Sequence, residues 1–252
     1  MQRTRVDWGG NLAAFGVTIL LNVLSNALPI NGQSKPEISA KYPSLFTPAG
    51  FTFGIWGVIY LGLLVFAIWQ ALPAQRGNQK VAAISTLFKV NCLANAVWLV
   101  VWHYDLLALS LLVMLIILFT LVQIYRRLIA DIDSAPMGEH LVLYMPFSLY
   151  TGWIMVATIA NASALQISGG WDDIAINAVQ WTLLKLAVAG AIGATMILRF
   201  RDVPFALVVA WAAYGITVMQ SATPAVSGAA TTLSLLALLL VARDAALRLF
   251  GK

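Results

Sequence analysis

The sequence predicts an all-α fold, a polytopic transmembrane bundle of about eight helices, and three observations predict it. Hydrophobic residues make up 61% of the chain and charged residues 10%, whereas soluble domains carry about 25% charged residues. Long stretches such as residues 12–32 and 42–73 contain no charge, and about 20 apolar residues suffice for a helix to cross a bilayer. Basic residues collect near the ends of such stretches.

The predicted helices follow the apolar segments in chain order. They span about residues 11–30, 49–72, 81–102, 106–127, 140–165, 174–198, 203–220 and 226–249. The first helix is preceded by Arg3 and Arg5 and contains a weak signal-peptidase pattern at residues 25–27, near its end. Its apolar run of about 17 residues is longer than an ordinary signal-peptide core, so we expect this helix to be retained.

The distribution of basic residues predicts the orientation. Eleven of the 15 Lys and Arg residues lie at segment ends that this helix order places on one side, and only Lys35 and Lys41 lie on the other. The positive-inside rule therefore puts both termini in the cytoplasm. No transit peptide is evident, which favours a bacterial inner (plasma) membrane. Because the basic residues are dispersed rather than clustered, nucleic acid is not an expected partner.

The connection between the first two predicted helices is the longest in the chain. At about 18 residues (31–48) it exceeds the usual 2–8, and connections of this length often act as lids or binding loops. Pro43 and Pro48 would limit the entropy that the loop loses on closing, so we expect a lid. Gly50 and Gly54, at the start of the second helix, are expected to let a neighbouring helix approach closely.

The third predicted helix carries a polar and aromatic stripe. Asn91 and Asn95 are one turn apart, and Trp98 and Trp102 continue the stripe at helical spacing. Asparagine in a membrane helix can hydrogen-bond to a neighbouring helix, or it can orient a ligand. Both interpretations stay open at this point.

Two lysines fall within predicted helices. Lys89 lies near the cytoplasmic end of the third, where its side chain can extend to the interface, whereas Lys185 lies near the middle of the sixth. A retinal Schiff base is excluded, because neither helix carries an acidic counter-ion at matching depth and the helix count is eight. Lys185 is instead a candidate for a residue that faces an aqueous transport cavity.

Catalytic and metal-binding arrangements are not expected. His103 and His140 fall on opposite sides of the membrane, the acidic residues are placed in loops or at helix ends, and Cys92 is the one cysteine. No phosphate loop, nucleophile elbow or zinc motif occurs. The sequence therefore predicts no catalytic residue, no metal ligand and no enzyme.

Tryptophan is the remaining excess. Trp56, Trp98 and Trp153 belong to the second, third and fifth predicted helices, and each lies deeper than an interfacial belt would require. They either pack against lipid and neighbouring helices or form an aromatic-walled cavity below the long loop, suited to a flat apolar ligand.

These residues resemble the TspO/MBR family, the tryptophan-rich sensory proteins related to the mitochondrial translocator protein (peripheral benzodiazepine receptor). The resemblance covers roughly residues 1–165. Its motifs are an aromatic and proline segment that ends in W-x-x-x-Y, an N-x-x-W segment, and a W-x-x-x-A-x-x-x-N segment. In this chain they are Pro43, Phe46, Thr47, Pro48, Phe51, Phe53, Trp56 and Tyr60; Asn95 and Trp98; and Trp153, Ala157 and Asn161.

The resemblance implies a five-helix bundle at residues 1–165, followed here by a three-helix transmembrane extension at 166–252. It implies a membrane binding protein or sensor for a flat hydrophobic ligand below the first loop, with a porphyrin- or haem-like tetrapyrrole favoured and a sterol- or carotenoid-like molecule as the alternative. Phe51 stands where the family usually has tryptophan, and Ala49 where it has a second proline. The first departure disfavours porphyrin breakdown.

Together these arguments predict the site. Besides the lid prolines, the expected ligand-binding residues are Phe46, Phe51, Phe53, Trp56, Asn95, Trp98, Tyr150, Trp153 and Ala157. Two other functions stay open: a transporter of a small or apolar substrate that uses Lys185, and an assembly partner in a membrane complex. A homodimer is a further expectation from the resemblance. The additional helices could replace its usual interface, remodel the cavity or bind another partner.

Overall fold

The structure is a computed structural model that describes residues 3–28, 30–33, 35–130 and 135–250. All regular elements in these ranges are helical. The α-helices are α1 (Arg5–Ala27), α2 (Lys35–Lys41), α3 (Ile55–Trp69), α4 (Gln79–His103), α5 (Leu107–Ile129), α6 (Met137–Glu139), α7 (Met145–Ser168), α8 (Ala178–Phe200), α9 (Val203–Met219) and α10 (Pro224–Phe250). Short 3-10 helices span Ile30–Gly32, Gly50–Gly54 and Pro73–Gln75, and a π-helical turn spans His140–Tyr144.

Within the described ranges, seven helical segments are long and apolar enough to cross a membrane. α9 is an eighth apolar helix, with 17 residues. Each of the eight predicted helices has its counterpart, so the all-α, polytopic fold is confirmed. Two spans combine consecutive elements: Gly50–Trp69 joins a 3-10 helix to α3, and Met137–Ser168 joins α6, the π-helical turn and α7.

Local sequence signals set several helix boundaries. Asn78 accepts a hydrogen bond from the Val81 amide at the start of α4, and Asn177 forms a reciprocal capping box with Gln180 at the start of α8. Such caps satisfy amides that otherwise lack a partner. The π-helical turn ends two residues before Pro146, whose ring would clash with the carbonyl four residues earlier in a regular α-helix.

The long first connection is more ordered than the sequence indicates. It contains the 3-10 helix Ile30–Gly32 and α2, so that the irregular backbone between α2 and the next 3-10 helix is confined to residues 42–49. α1 starts at Arg5, about six residues before the predicted boundary, because Thr4 caps it by accepting from the Asp7 amide. α8 starts four residues later than predicted, at the Asn177 cap.

The chain forms two compact units by its internal contacts. The first unit extends up to Ala40 and from Trp56 to Thr151; within it, α4 packs against both α1 and α5. The second unit combines Lys41–Ile55 with the chain from Gly152 onward, and in it α8, α9 and α10 pack against one another. The predicted division after residue 165 stays a prediction.

Candidate functional site

The first unit contains an aromatic cluster built on Trp56. Trp56 and Tyr60 are one turn apart on α3, and their rings stack with centroids 5.1 Å apart and planes inclined by 21°. The ring of Tyr150, from α7, lies edge-on to Trp56 at 5.9 Å. Tyr150 is buried, with 2% of its surface exposed, whereas Trp56 is half-buried. Three aromatic rings from two candidate membrane spans are thus grouped together.

A chain of amide hydrogen bonds runs through the same cluster. Asn95 Nδ2 on α4 donates to the Tyr150 hydroxyl at 2.9 Å, and Asn95 Oδ1 accepts from Asn22 Nδ2 on α1 at 3.2 Å. Both asparagines are buried. The pairs link α1, α4 and α7 and place polar groups beside the aromatic rings. Sequence reasoning missed Asn22, although Asn11, Thr18, Asn22 and Ser25 recur on one helical face of α1.

The other asparagine of the predicted stripe has a different role. Asn91 Nδ2 donates to Thr120 Oγ1 at 2.9 Å and to the Ile117 carbonyl at 3.1 Å, both on α5. These bonds fit the interpretation that asparagine joins membrane helices. Trp98 is half-buried, and its ring stacks on Trp102 at 5.5 Å, one turn along the same helix.

The remaining predicted aromatic residues belong to the second unit. Phe53 lies edge-on to Trp153 at 5.8 Å; Trp153 is 2% exposed and Phe53 43% exposed. Ala157, one turn after Trp153, is half-buried. Phe46 is 1% exposed and therefore a core residue of this unit. Of the two lid prolines, Pro43 is exposed and Pro48 is buried.

Phe51 packs against α9, a helix of the predicted C-terminal extension. Its ring lies 5.5 Å from that of Trp211 and 5.9 Å from that of Tyr214. Trp211 Nε1 also donates to the Thr52 carbonyl at 2.9 Å, and the Ala49 amide donates to the Gly215 carbonyl at 3.0 Å. The segment that carries the family-like motif is therefore docked on α9. Sequence reasoning did not identify this role for α9, and the one available signal was a tryptophan, Trp211, away from any helix end.

The expected close approach at Gly50 and Gly54 is wrong. A Cβ atom added at either glycine would meet no heavy atom within 4 Å, because Thr52 is the residue of this 3-10 helix that is buried. The close approach is at Gly215 instead. A Cβ atom there would collide with Thr52 Oγ1 and would lie 3.0 Å from Pro48 Cβ.

Both helix lysines have polar partners. Lys89 Nζ lies 3.5 Å from Asp7 Oδ1 on α1, a carboxylate that the sequence reasoning left out; Arg3 Nε contacts its other oxygen at 2.6 Å. Lys185 Nζ donates to Gln166 Oε1 on α7 at 2.6 Å. Lys185 was expected near the middle of its helix. Because α8 begins at Ala178, Lys185 instead lies about 10 Å from the start of the helix. Its role in transport stays a prediction.

In the described part of the chain, no group of three or more His, Cys, Asp or Glu residues is placed to hold a metal ion. His103 is fully buried, and its Nδ1 lies 2.6 Å from the Leu99 carbonyl. His140 instead packs its ring against Tyr144 at 5.2 Å.

Comparison with known proteins is consistent with this architecture. The family model described as TSPO-like protein matches residues 8–243. Comparison with curated proteins and with solved structures gave no match. The family match reaches from α1 into α10 and so includes the C-terminal helices. The chain is an integral membrane protein that belongs to the TSPO-like family, and this membership suggests a ligand-binding or sensory role in the membrane.

Proposed function

We propose that this protein binds a flat hydrophobic molecule within the membrane, as a sensor or carrier, and that a tetrapyrrole is the favoured ligand. The observation that carries the proposal is the Trp56 cluster of the first unit. It combines stacked aromatic rings with the Tyr150 hydroxyl and the Asn95 amide, 2.9 Å apart. Family membership favours a binding protein over an enzyme.

The chemistry of the cluster suits such a ligand. Aromatic rings bind flat π-systems by offset stacking and edge contacts, with a preference beyond the area that they bury. Sites for small molecules are mostly apolar and contain a few polar groups that fix orientation. In the cluster, Trp56 and Tyr60 supply the apolar faces. Tyr150 and Asn95 supply a donor and acceptor that could turn from each other towards polar groups at the ligand edge.

The other predicted residues stay in the proposal as expected ligand-binding residues. Trp98 extends the aromatic surface of α4 through its stack with Trp102. Phe51 and Phe53 each keep more than two fifths of their surface exposed, so that their rings retain area for an apolar ligand. Phe46, Trp153 and Ala157 are more enclosed and contribute to ligand binding by shaping the second unit, with Pro43 and Pro48 limiting the freedom of the lid. We also propose that the protein lies in a bacterial inner membrane and forms a homodimer.

The variant Trp56→Leu tests the cluster. Loss of the stacking indole is expected to weaken binding of protoporphyrin IX by about tenfold or more, because aromatic contacts add to the area buried. Binding is measured from the shift of the porphyrin absorption band during titration of the purified protein in neutral detergent. Trp171→Leu is the matched control, since Trp171 lies between α7 and α8 with 57% of its surface exposed, and it should bind as the unchanged protein does.

Equal porphyrin affinity in the unchanged protein and Trp56→Leu would remove the cluster from the proposal. Absence of saturable binding in the unchanged protein would remove the tetrapyrrole. In that second case, titration with a sterol and with a carotenoid under the same conditions separates a different flat ligand from a protein that binds none of them.

A further inference from the structure

An apolar cavity lies between α8, α9 and α10 in the second unit. Its volume is about 620 Å³, within the range of roughly 300–1,000 Å³ that is typical of ligand sites. α8 contributes small residues, including Ala187, Gly190 and Ala194, while α10 contributes four leucines. Thr232 and Arg243 are the polar residues of the lining.

The small residues already serve the packing of these helices. A Cβ atom at Gly190 would lie 2.9 Å from Leu233 Cδ1 on α10, and one at Gly193 would lie 3.1 Å from Val209 Cγ2 on α9. The glycines therefore bring α8 close to its neighbours inside the unit. The cavity is the apolar space that remains beside these contacts.

Charge is concentrated at one end of the cavity. Arg201 and Arg248 share the carboxylate of Asp244, each at 2.7 Å. Arg243, the neighbour of Asp244 in the chain, lines the cavity and is exposed. It makes no ion pair within the described residues. An apolar cavity with a cation at its mouth is complementary to an amphiphile that has an anionic head.

The length of the cavity matches one leaflet of a bilayer. On α10 its lining runs from Ala229 to Arg243, which at 1.5 Å per residue is about 21 Å. One leaflet measures about 15 Å in its hydrocarbon part and about 20–22 Å with its headgroup region. A cavity of this length has room for one acyl chain, with Arg243 at one end of its lining.

We propose that this cavity binds one acyl chain of an anionic phospholipid, with the lipid phosphate paired to Arg243. The site goes beyond the proposed ligand-binding function and does not depend on it. A second copy of the chain is a poorer occupant. A two-fold axis along the membrane normal would bring Arg243 of both copies to the same depth on the same face, where like charges repel.

Lipid binding to the purified full-length chain in neutral detergent tests the headgroup contact. Native mass spectrometry counts bound dioleoyl phosphatidylglycerol and, separately, dioleoyl phosphatidylcholine. One molecule of phosphatidylglycerol should bind per chain, more tightly than phosphatidylcholine binds. Arg243→Gln should lower the affinity for phosphatidylglycerol by about five- to tenfold and leave the affinity for phosphatidylcholine unchanged. Arg199→Gln is the matched control. Arg199 is an exposed arginine in the last turn of α8, and it does not line the cavity.

A second pair of variants tests the acyl chain. Ala187→Leu fills the cavity and should weaken the binding of both lipids. Ala191 is an exposed alanine one turn later and outside the lining, so Ala191→Leu should not weaken the binding of either lipid. Glycerol phosphate without an acyl chain should not displace the bound lipid.

Three results would each overturn the site. They are equal binding of the two lipids, equal losses in Arg243→Gln and Arg199→Gln, and a dimer that Ala187→Leu converts to a monomer without any change in lipid count. A single symmetric size-exclusion peak for every variant guards against misfolding as the cause of a loss.

Discussion

Replacement of Gly215 by alanine is expected to lower the midpoint of thermal denaturation by about 2–12 °C. The added methyl group would collide with Thr52 Oγ1 and lie 3.0 Å from Pro48 Cβ. Overpacking of this kind costs roughly 1–3 kcal/mol, and each kcal/mol corresponds to about 2–4 °C in a chain of this size. The measurement is the denaturation midpoint of the purified protein in detergent, followed by intrinsic fluorescence at one scan rate.

Gly228→Ala on α10 is the matched control, because a Cβ atom there meets nothing within 4 Å. Its midpoint should equal that of the unchanged protein or exceed it slightly. Adding Thr52→Ala to Gly215→Ala should restore part of the loss, since it removes the hydroxyl that collides. Full stability of Gly215→Ala alone would mean that the segment at residues 48–52 is not docked on α9 as described.

Replacement of Asp7 by leucine is expected to have a comparable or larger effect. Asp7 is in contact with Arg3 Nε at 2.6 Å, with Lys89 Nζ at 3.5 Å and with the Ser85 hydroxyl. The Arg3 side chain is 2% exposed, so that loss of the carboxylate leaves a buried cation without its counter-ion. Breaking a buried pair by removing one partner costs about 3 kcal/mol or more, which predicts a decrease of roughly 6–12 °C in the denaturation midpoint.

The double variant Asp7→Leu with Lys89→Met should recover part of this loss, because one of the two cations is then absent. Glu139→Leu is the comparison variant. Its carboxylate pairs with the single cation Lys80 at 3.0 Å and has a similar exposure of 20%, so that its loss should be smaller. An Asp7→Leu protein as stable as the Glu139→Leu protein would show that the shared contact of Asp7 with two cations adds no stability.

Much of the fold follows from local properties of the chain. A charge-free run such as residues 42–73 cannot remain in water, and a helix satisfies every backbone group without a partner segment. The existence and order of the membrane helices were therefore predictable. Boundaries were less so. α1 extends to Arg5 through a cap at Thr4, and α8 starts at the capping box of Asn177. Helix boundaries predicted from apolar segments do not take such polar caps into account.

The candidate site was predictable only in part, because local patterns do not specify partners. Trp56 and Tyr60 share one helix face at helical spacing, and their stack follows from that spacing. The bond between Asn95 and Tyr150 joins residues 55 positions apart, and the bond between Asn22 and Asn95 joins residues 73 apart. Both depend on which helices become neighbours, and the sequence alone left open whether Asn95 would join helices or orient a ligand.

The sequence by itself determined that this protein is an all-α membrane protein, where its helices lie, and which family motifs it carries. These properties depend on the hydrophobicity of single segments and on hydrogen bonds that each helix forms within its own backbone. The tertiary structure alone decided that Asp7 faces Arg3 and Lys89 and that α9 holds the segment around Phe51 and Thr52. Contacts between helices arise from shape and from polar pairing at long range. A glycine such as Gly215 is essential only once a hydroxyl from a residue 163 positions away is placed against it.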